Sequence, residues 1–479
     1  MKKIHFIGIG GIGISALAQF YLEKGAEVFG SDLVSSEITK MLEEKGAKII
    51  INSKFKIQNS KLQRKVARQP RYFAQFKIQN LIKKADLIIY SKAVPENHPE
   101  LRLAKKLKKK CLSYPEALGE LTKKYFTIAV CGTHGKSTTC AMIALILIKA
   151  GLNPTVILGT KLKEFGDSNF RMGKAIKNSK LKIQNEKLKN EILVIEADEW
   201  DASFLDYWPQ IIVLTNIEKE HLDYYRNLKN LLRAFSQFIA HLPKDGWLIA
   251  NKDDKGISKL KSQISRLQIR TQNFSLKQKE ARKLRKVLKV PGRHNIYNAL
   301  AALTCARVLG VKDEISFEVL SKYKGSWRRM EEKKIIIDHL SFILVSDYGH
   351  HPTEIKATIS ALKEKYPKKK IWLVFQPHQY QRTYYLFKDF VKVLKDLKVQ
   401  KIIIPPIFDV AGRENEKIRK KVSSEKLVEA INQQLNKQKA FFIPDFQKIK
   451  SFIKAYFEDD ILVIMGAGDI YKLAQEFST

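Results

Sequence analysis

The chain has 479 residues, 44% of them hydrophobic, with a formal net charge of +38, enough for roughly two to four domains with packed cores. No uninterrupted apolar stretch reaches the ~18 residues of a membrane span, and the four cysteines (Cys111, Cys131, Cys140, Cys305) form no C-x-x-C pair, which argues against a disulfide framework or zinc site and for a reduced, cytoplasmic setting. The charge should attract acidic substrates, but its lysines run along helical faces without an aromatic-interleaved stripe, so a solvated surface is expected rather than a nucleic-acid interface.

Met1-Lys2-Lys3 and the apolar run behind them have the outline of a signal peptide. Glycines interrupt the run and no small-residue cleavage site follows, so a folded strand and helix are expected. Block one then reads strand Ile4–Ile9, the pattern Gly8-x-Gly10-Gly11-x-Gly13, a helix to Glu23, and strand Glu27–Gly30 ending at Ser31-Asp32. That is a βαβ start carrying G-x-G-x-x-G, which alone is also compatible with a nicotinamide dehydrogenase. Further strands are predicted at Leu87–Ser91 and near Lys110–Ser113. The pentapeptide Phe55–Asn59 recurs at Phe76–Asn80, with a near copy at Leu181–Asn185. Residues 54–80 and about 176–190 therefore read as polar, solvent-facing insertions.

Block two opens with the apolar strand Phe126–Cys131, then Gly132-Thr133-His134-Gly135-Lys136-Ser137-Thr138, then a helix to Ala150. Strand, glycine turn, Lys-Ser/Thr and helix form a phosphate cradle. Backbone N–H groups turn inward, the lysine meets the β/γ-phosphates, and the hydroxyl after it ligates Mg²⁺. Glu196 ends the strand Ile192–Ile195, where a P-loop domain holds Mg²⁺ by a carboxylate. Thr215–Asp223 follows the strand Ile211–Thr215, which makes His221 a candidate second metal ligand. Asn295 lies at the start of a helix suited to a nucleotide base or phosphate.

Block three follows Lys324-Gly325-Ser326, with strands at Phe342–Ser346, Ile371–Phe375, Lys401–Pro405 and Ile461–Met465. Asp347–Pro352 and Gln376–Arg382 lie just past two of them, where open α/β sheets place ligands. The alternation of strand and helix predicts an α/β fold with mostly parallel sheets.

Taken together, HFIGIGGIGIS, GTHGKST, EADEWDASF, TNIEKEHLD, PGRHNIYNALAA, SWRRME, DYGHHPTEI, QPHQYQRT and MGAGDI resemble the Mur ligases. These are the ATP-dependent enzymes that build the bacterial cell-wall peptide. The nearest branch joins L-alanine to the carboxylate of UDP-N-acetylmuramate in the cytoplasm; the branch that recycles murein peptides comes second. The resemblance implies three domains: a Rossmann-like UDP-sugar domain over 1–121, a central P-loop domain binding Mg-ATP over 122–325, and a Rossmann-like amino-acid domain over 326–479. It implies substrate contacts at Gly8, Gly10, Gly11, Gly13, Ser31 and Asp32. It implies nucleotide contacts at Gly132 to Thr138, Asn295, Arg328 or Arg329, and Asp347, with metal held by Ser137, Glu196 and His221. Tyr348, His350, His378 and Arg382 would surround the alanine. Lys136, His350, His378 and Arg382 are the catalytic candidates, His350 orienting or deprotonating the amine as an imidazole near pKa 6.5. No nucleic-acid partner is implied. A P-loop ATPase acting on nucleic acid is the rival, resting on the charge. Two departures from the family stand out. Gln379 occupies a position usually held by arginine, and the usual Gly-His after the third strand is replaced by the 54–80 segment, at the uridine pocket.

Overall fold

The computed structural model describes residues 1–51, 70–174, 191–337, 340–410, 415–458 and 460–477. Three sheets succeed one another along the chain. The first is built from β1 (Lys3–Ile7), β2 (Glu27–Asp32), β3 (Lys48–Ile51), β4 (Leu87–Tyr90) and β5 (Lys110–Ser113), in the order β3-β2-β1-β4-β5. All of its pairs are parallel. Strand order reverses beside β1, so its glycine loop opens into the crevice at the carboxyl ends of the strands.

The second sheet holds β6 (Phe126–Cys131), β7 (Thr155–Leu162), β8 (Ser168–Arg171), β9 (Ile192–Glu196), β10 (Ile211–Leu214), β11 (Trp247–Asn251) and β12 (Arg270–Phe274), in the order β12-β11-β10-β6-β9-β7-β8. Among the described residues of this sheet only β8 runs antiparallel to its neighbour. β6 is buried along its whole length, as a near-continuous apolar run must be when helices cover both faces of a parallel sheet. The register pairs Cys131 with Leu214 and Val130 with Glu196. The polar segments after β6, β9 and β10 therefore emerge side by side at one edge.

The third sheet comprises β13 (Glu331–Ile337), β14 (Leu340–Asp347), β15 (Ile371–Phe375), β16 (Lys401–Ile404), β17 (Ala440–Phe442) and β18 (Ile461–Met465), in the order β13-β14-β18-β15-β16-β17. β13 is its antiparallel strand. The linker into this sheet is fastened to the second, since Trp327 N–H donates to the Lys161 carbonyl at 3.1 Å and its own carbonyl accepts from Thr160 Oγ1 at 3.0 Å. Lys161 also pairs with Glu37 of the first domain at 3.2 Å, so this junction touches all three.

One expectation is corrected. The second copy of the repeated pentapeptide is not wholly solvent-facing: it lies in the helix Pro70–Lys84, with Phe76 exposed and Ile78 buried. Ile78 and Ile82 are fully buried there and pack with Ile7, Ile88 and Leu101. Their i, i+4 spacing puts both on one helix face, and that apolar pair outweighs the polar composition around it. Residues 54–69 and 176–190 lie outside the described residues. No helix among the described residues is long and apolar enough to cross a membrane.

Candidate functional site

The phosphate loop takes its shape from two glycines. Gly132 has φ 125° and Gly135 has φ 82°, a region that costs an L-residue of order 1–3 kcal/mol. There is also no room for a Cβ: at Gly132 it would overlap Thr215 Oγ1, and at Gly135 it would overlap Asn298 Oδ1. Gly135 ends the turn as N-cap of the helix Lys136–Lys149, leaving that helix's first N–H groups for an anion. The loop is braced by Asn216, whose Oδ1 accepts from His134 N–H and whose Nδ2 donates to the His134 carbonyl, both at 2.9 Å. Thr215 Oγ1 donates to the same carbonyl at 2.7 Å.

Lys136 reaches across the sheet edge to Glu199 at 2.8 Å and Asp198 at 3.4 Å. Burial works against its charge, but these carboxylates override it and hold its pKa above the ordinary lysine value. Burial pushes the Glu196 pKa up, against the opposing influence of the Gly159 N–H, which donates to it at 2.8 Å, and of the Ser137 hydroxyl beside it. His221 Nε2 is 3.9 Å from Glu199 Oε1, and the ring groups with Asp198 and Glu199. Of the expected set, Ser137 lies beside Glu196, while His221 lies beside Asp198 and Glu199. Asp198 and Glu199 went unassigned in the sequence, although they follow Glu196 directly. Glu199 Oε1 is buried without a hydrogen-bond partner, and the donors are carboxylates, a hydroxyl and an imidazole. Both observations suit a hard divalent cation such as Mg²⁺.

A cavity of about 690 Å³ opens between the second and third domains beside this loop. Its lining includes Gly135, Thr138, Phe274, His294, Asn295, Arg329 and Asp347. Asn295 braces its own helix start, donating to the Pro291 carbonyl at 2.8 Å and accepting from Asn298 Nδ2 at 3.2 Å. The two linker arginines part company. Arg329 donates to Ser137 Oγ at 3.3 Å. Arg328, with φ 55°, turns away into the third domain, where it donates to the carbonyls of Gly466 and Gly468 and lies over Tyr348 and Tyr471. Asp347 accepts from Met330 N–H at 2.8 Å and Gly349 N–H at 2.7 Å. Burial pushes its carboxyl up to about 6.

The start of the helix Pro352–Lys365 is written locally. His351 caps it, Pro352 takes the first position, and Glu354 closes a capping box, the pattern expected of a helix N-terminus. Glu354 accepts from His350 N–H at 2.8 Å and His351 N–H at 3.1 Å, while its other oxygen meets His134 of the phosphate loop at 3.2 Å. Nearby, Arg382 Nε donates to Glu220 Oε1 at 2.8 Å, and Arg382 Nη1 donates to His378 Nδ1 at 3.0 Å. Arginine has no lone pair to offer, so Nδ1 of His378 carries one. The rings of His350 and His378 are 5.7 Å apart, and Tyr348 stands edge-on to His350 at 5.5 Å. The expected imidazole near 6.5 does not survive: burial, aided by Arg382, pushes His350 down to about 4. It is neutral at pH 7 and suited to accepting a hydrogen bond. Gln379 is buried with φ 72°, its N–H given to the Phe408 carbonyl at 3.0 Å.

In the first domain, Gly8 has φ 75° and Gly11 caps the helix Ile12–Glu23. Gly10 N–H donates to Asp32 Oδ2 at 2.8 Å, and a Cβ at Gly13 would press on Tyr114. Ser31 is buried, its hydroxyl donated to Glu100 at 2.8 Å, so it supports the loop from behind. Lys92, from the neighbouring β4 turn, pairs with Asp201 of the second domain at 2.5 Å, which brings this crevice against the carboxylate cluster.

Three family models match the chain in succession: "Mur ligase family, catalytic domain" over residues 3–126, "Mur ligase middle domain" over 130–306, and "Mur ligase, glutamate ligase domain" over 328–468. A UDP-N-acetylmuramate–L-alanine ligase of Aquifex aeolicus is 38% identical, with 100% of this chain and 97% of the relative covered. One from Acetivibrio thermocellus is 37% identical over 99% of this chain and 95% of the relative. Among solved structures, a UDP-N-acetylmuramate–alanine ligase of Thermotoga maritima superposes with a TM-score of 0.73 at 23% identity, covering 100% of this chain and 98% of the other. A murein peptide ligase of Psychrobacter arcticus gives 0.67 at 20% identity, with 100% and 98% covered. Those likenesses confirm the three-sheet fold.

Proposed function

The chain belongs to the Mur ligase family, and from that premise we propose that it joins L-alanine to the carboxylate of UDP-N-acetylmuramate using ATP, in peptidoglycan precursor synthesis in the cytoplasm. The observation that carries the reading is the adjacency of two sites. Lys136 bonds Glu199, Glu199 faces His221, and the residue before His221, Glu220, bonds Arg382. A phosphate site and a buried site with a cation for a carboxylate thus lie side by side. That is the arrangement for activating one acid and delivering an amine to it.

A carboxylate does not condense with an amine in water, because its oxygen is a poor leaving group. ATP would convert the muramoyl carboxylate to an acyl phosphate, with the phosphate loop's N–H groups and Lys136 offsetting the charge on the transferred group. Ser137 and Glu196, with Glu199 and His221 beside them, would hold Mg²⁺, which supplies further neutralisation of phosphate charge. Arg329 would approach the phosphates and Asn295 and Asp347 the rest of the nucleotide, within the 690 Å³ cavity. Arg382 would take the carboxylate of alanine. Tyr348, His350 and His378 would surround its amine, the neutral His350 accepting a hydrogen bond from the attacking nitrogen. The glycine loop Gly8 to Gly13, with Asp32, would bind the UDP-sugar. With divisions at 121/122 and 325/326, the UDP-sugar would lie on the first domain, and ATP and the amino acid would each be bound between the second and third.

The test is phosphate release from Mg-ATP and UDP-N-acetylmuramate across a panel of L-alanine, glycine, L-serine and a murein tripeptide. Release with L-alanine in preference to the tripeptide is expected. No release with any of the small amino acids would overturn the reading.

A further inference from the structure

Glu220 and Arg382 form an ion pair across two domains. Both side chains are nearly enclosed, at 5% and 6% exposed. Each is also half used. Glu220 Oε1 receives Arg382 Nε at 2.8 Å, but Oε2 is buried with no hydrogen-bond partner. His351 Nε2 lies 3.9 Å from Oε2, beyond hydrogen-bond reach, and that nitrogen is already 3.2 Å from the Lys219 carbonyl. Arg382 spends Nη1 on the carbonyl and Nδ1 of His378; its Nη2 has no hydrogen bond among the described residues. A buried acceptor without a donor costs about 1–3 kcal/mol, more when charged, so a fold that retains one invites a ligand that satisfies it.

Resting on the ligase reading above, we infer that Glu220 is the anchor for the incoming amino acid's α-ammonium group, with Arg382 as its counterpart for the carboxylate. An α-amino acid is a zwitterion, and burying it brings one charge of each sign into a dry site. A pre-formed carboxylate–guanidinium pair presents the complementary two charges, so the complex stays neutral and neither ion is left uncompensated. The orphaned Oε2 accepts from the ammonium, and Nη2 donates to the carboxylate. His350 lies close enough to Glu220 and Arg382 to feel both charges, which puts an imidazole next to the same nitrogen. Because Glu220 comes from the loop after β10 and Arg382 from the helix Tyr380–Tyr385, the amino-acid site is complete only when the second and third domains are together. Glu220 also holds Arg382 in place, which accounts for a single arginine serving where Gln379 offers no second guanidinium.

Alanine-dependent phosphate release by the wild-type enzyme comes first, because its absence would sink the ligase reading itself. Given that activity, Glu220→Gln keeps an acceptor for Arg382 Nε and removes the charge. It is expected to raise KM for L-alanine roughly 10- to 100-fold, with KM for ATP and for UDP-N-acetylmuramate unchanged. Propionate, which has the carboxylate and lacks the ammonium, should compete with L-alanine far more weakly than glycine does in the wild type. That gap should narrow in Glu220→Gln. Glu220→Asp, which withdraws the same charge by one methylene, is the second variant and should raise KM for alanine less. An unchanged alanine KM in either folded variant, or an equal rise in all three KM values, would overturn the role of Glu220 and leave the ligase assignment standing.

Discussion

His134 Nδ1 lies 3.2 Å from Glu354 Oε1, tying the phosphate loop of one domain to the first helical turn of the next. His134 Nε2 is also 3.6 Å from Glu218. Burial alone would lower its pKa, but the two carboxylates override that and hold it up at about 10. A raised pKa means that the folded protein binds this proton more tightly than the unfolded chain. The stabilisation is therefore fully present below the unfolded value, about 6.5, and is lost as pH rises towards 10. On the acid side, Glu218 is held down to about 2, so its contribution is present above about 4.3 and lost as pH falls. Denaturant unfolding of the ligand-free protein between pH 6.5 and 10 should show stability declining by a few kcal/mol. Glu354→Gln should flatten that decline, and a profile identical to the wild type would show that the contact carries no stability.

Lys136 is paired with a fully buried carboxylate, Glu199, so its removal has two consequences. Lys136→Ala should abolish phosphate release. It should also destabilise the ligand-free protein by about 3–5 kcal/mol, the usual cost of stranding a buried charge. The double variant Lys136→Ala with Glu199→Gln should recover much of that stability and none of the activity. Melting temperature and phosphate release, measured on the same samples, separate the two effects.

Gly135→Ala should fail for two additive reasons: a φ of 82° and a Cβ placed against Asn298 Oδ1. Weakened ATP binding with a loss of about 1–3 kcal/mol in stability is expected. Adding Asn298→Ala removes the overlap but not the backbone strain, so titration with ATP should show only partial recovery.

The neighbouring arginines should behave differently. Arg329→Ala removes a guanidinium at Ser137 and should lower turnover at least about 10-fold with little change in melting temperature. Arg328→Ala removes bonds to two buried carbonyls and a cation stacked on aromatic rings. A stability loss of about 2 kcal/mol or more should dominate. Equal effects of the two substitutions on stability would contradict this division.

Much of the fold was legible because it is written locally. Apolar runs such as Phe126–Cys131 with glycine turns behind them mark parallel strands, and the glycines of Gly132 to Thr138 mark the turn of a phosphate cradle. The helix start at His351-Pro352-x-Glu354 is of the same kind. The buried face of the helix over the second pentapeptide was legible too, in the i, i+4 spacing of Ile78 and Ile82, but composition masked it.

What the chain by itself determined was therefore the set of parts: strands, loops, caps, and the residue types that face one sheet edge. Tertiary structure alone decided which charge meets which. Glu220 and Arg382 are 162 positions apart, and His134 and Glu354 are 220 apart, so no local pattern pairs them. It chose Arg329 over Arg328 for the phosphate loop, set His221 against Glu199, and pushed His350 to about 4. The physical reason is one of range. Backbone preference acts between neighbours in the chain, whereas Coulomb and desolvation energies depend on distance and burial, which exist only once the domains are folded against each other.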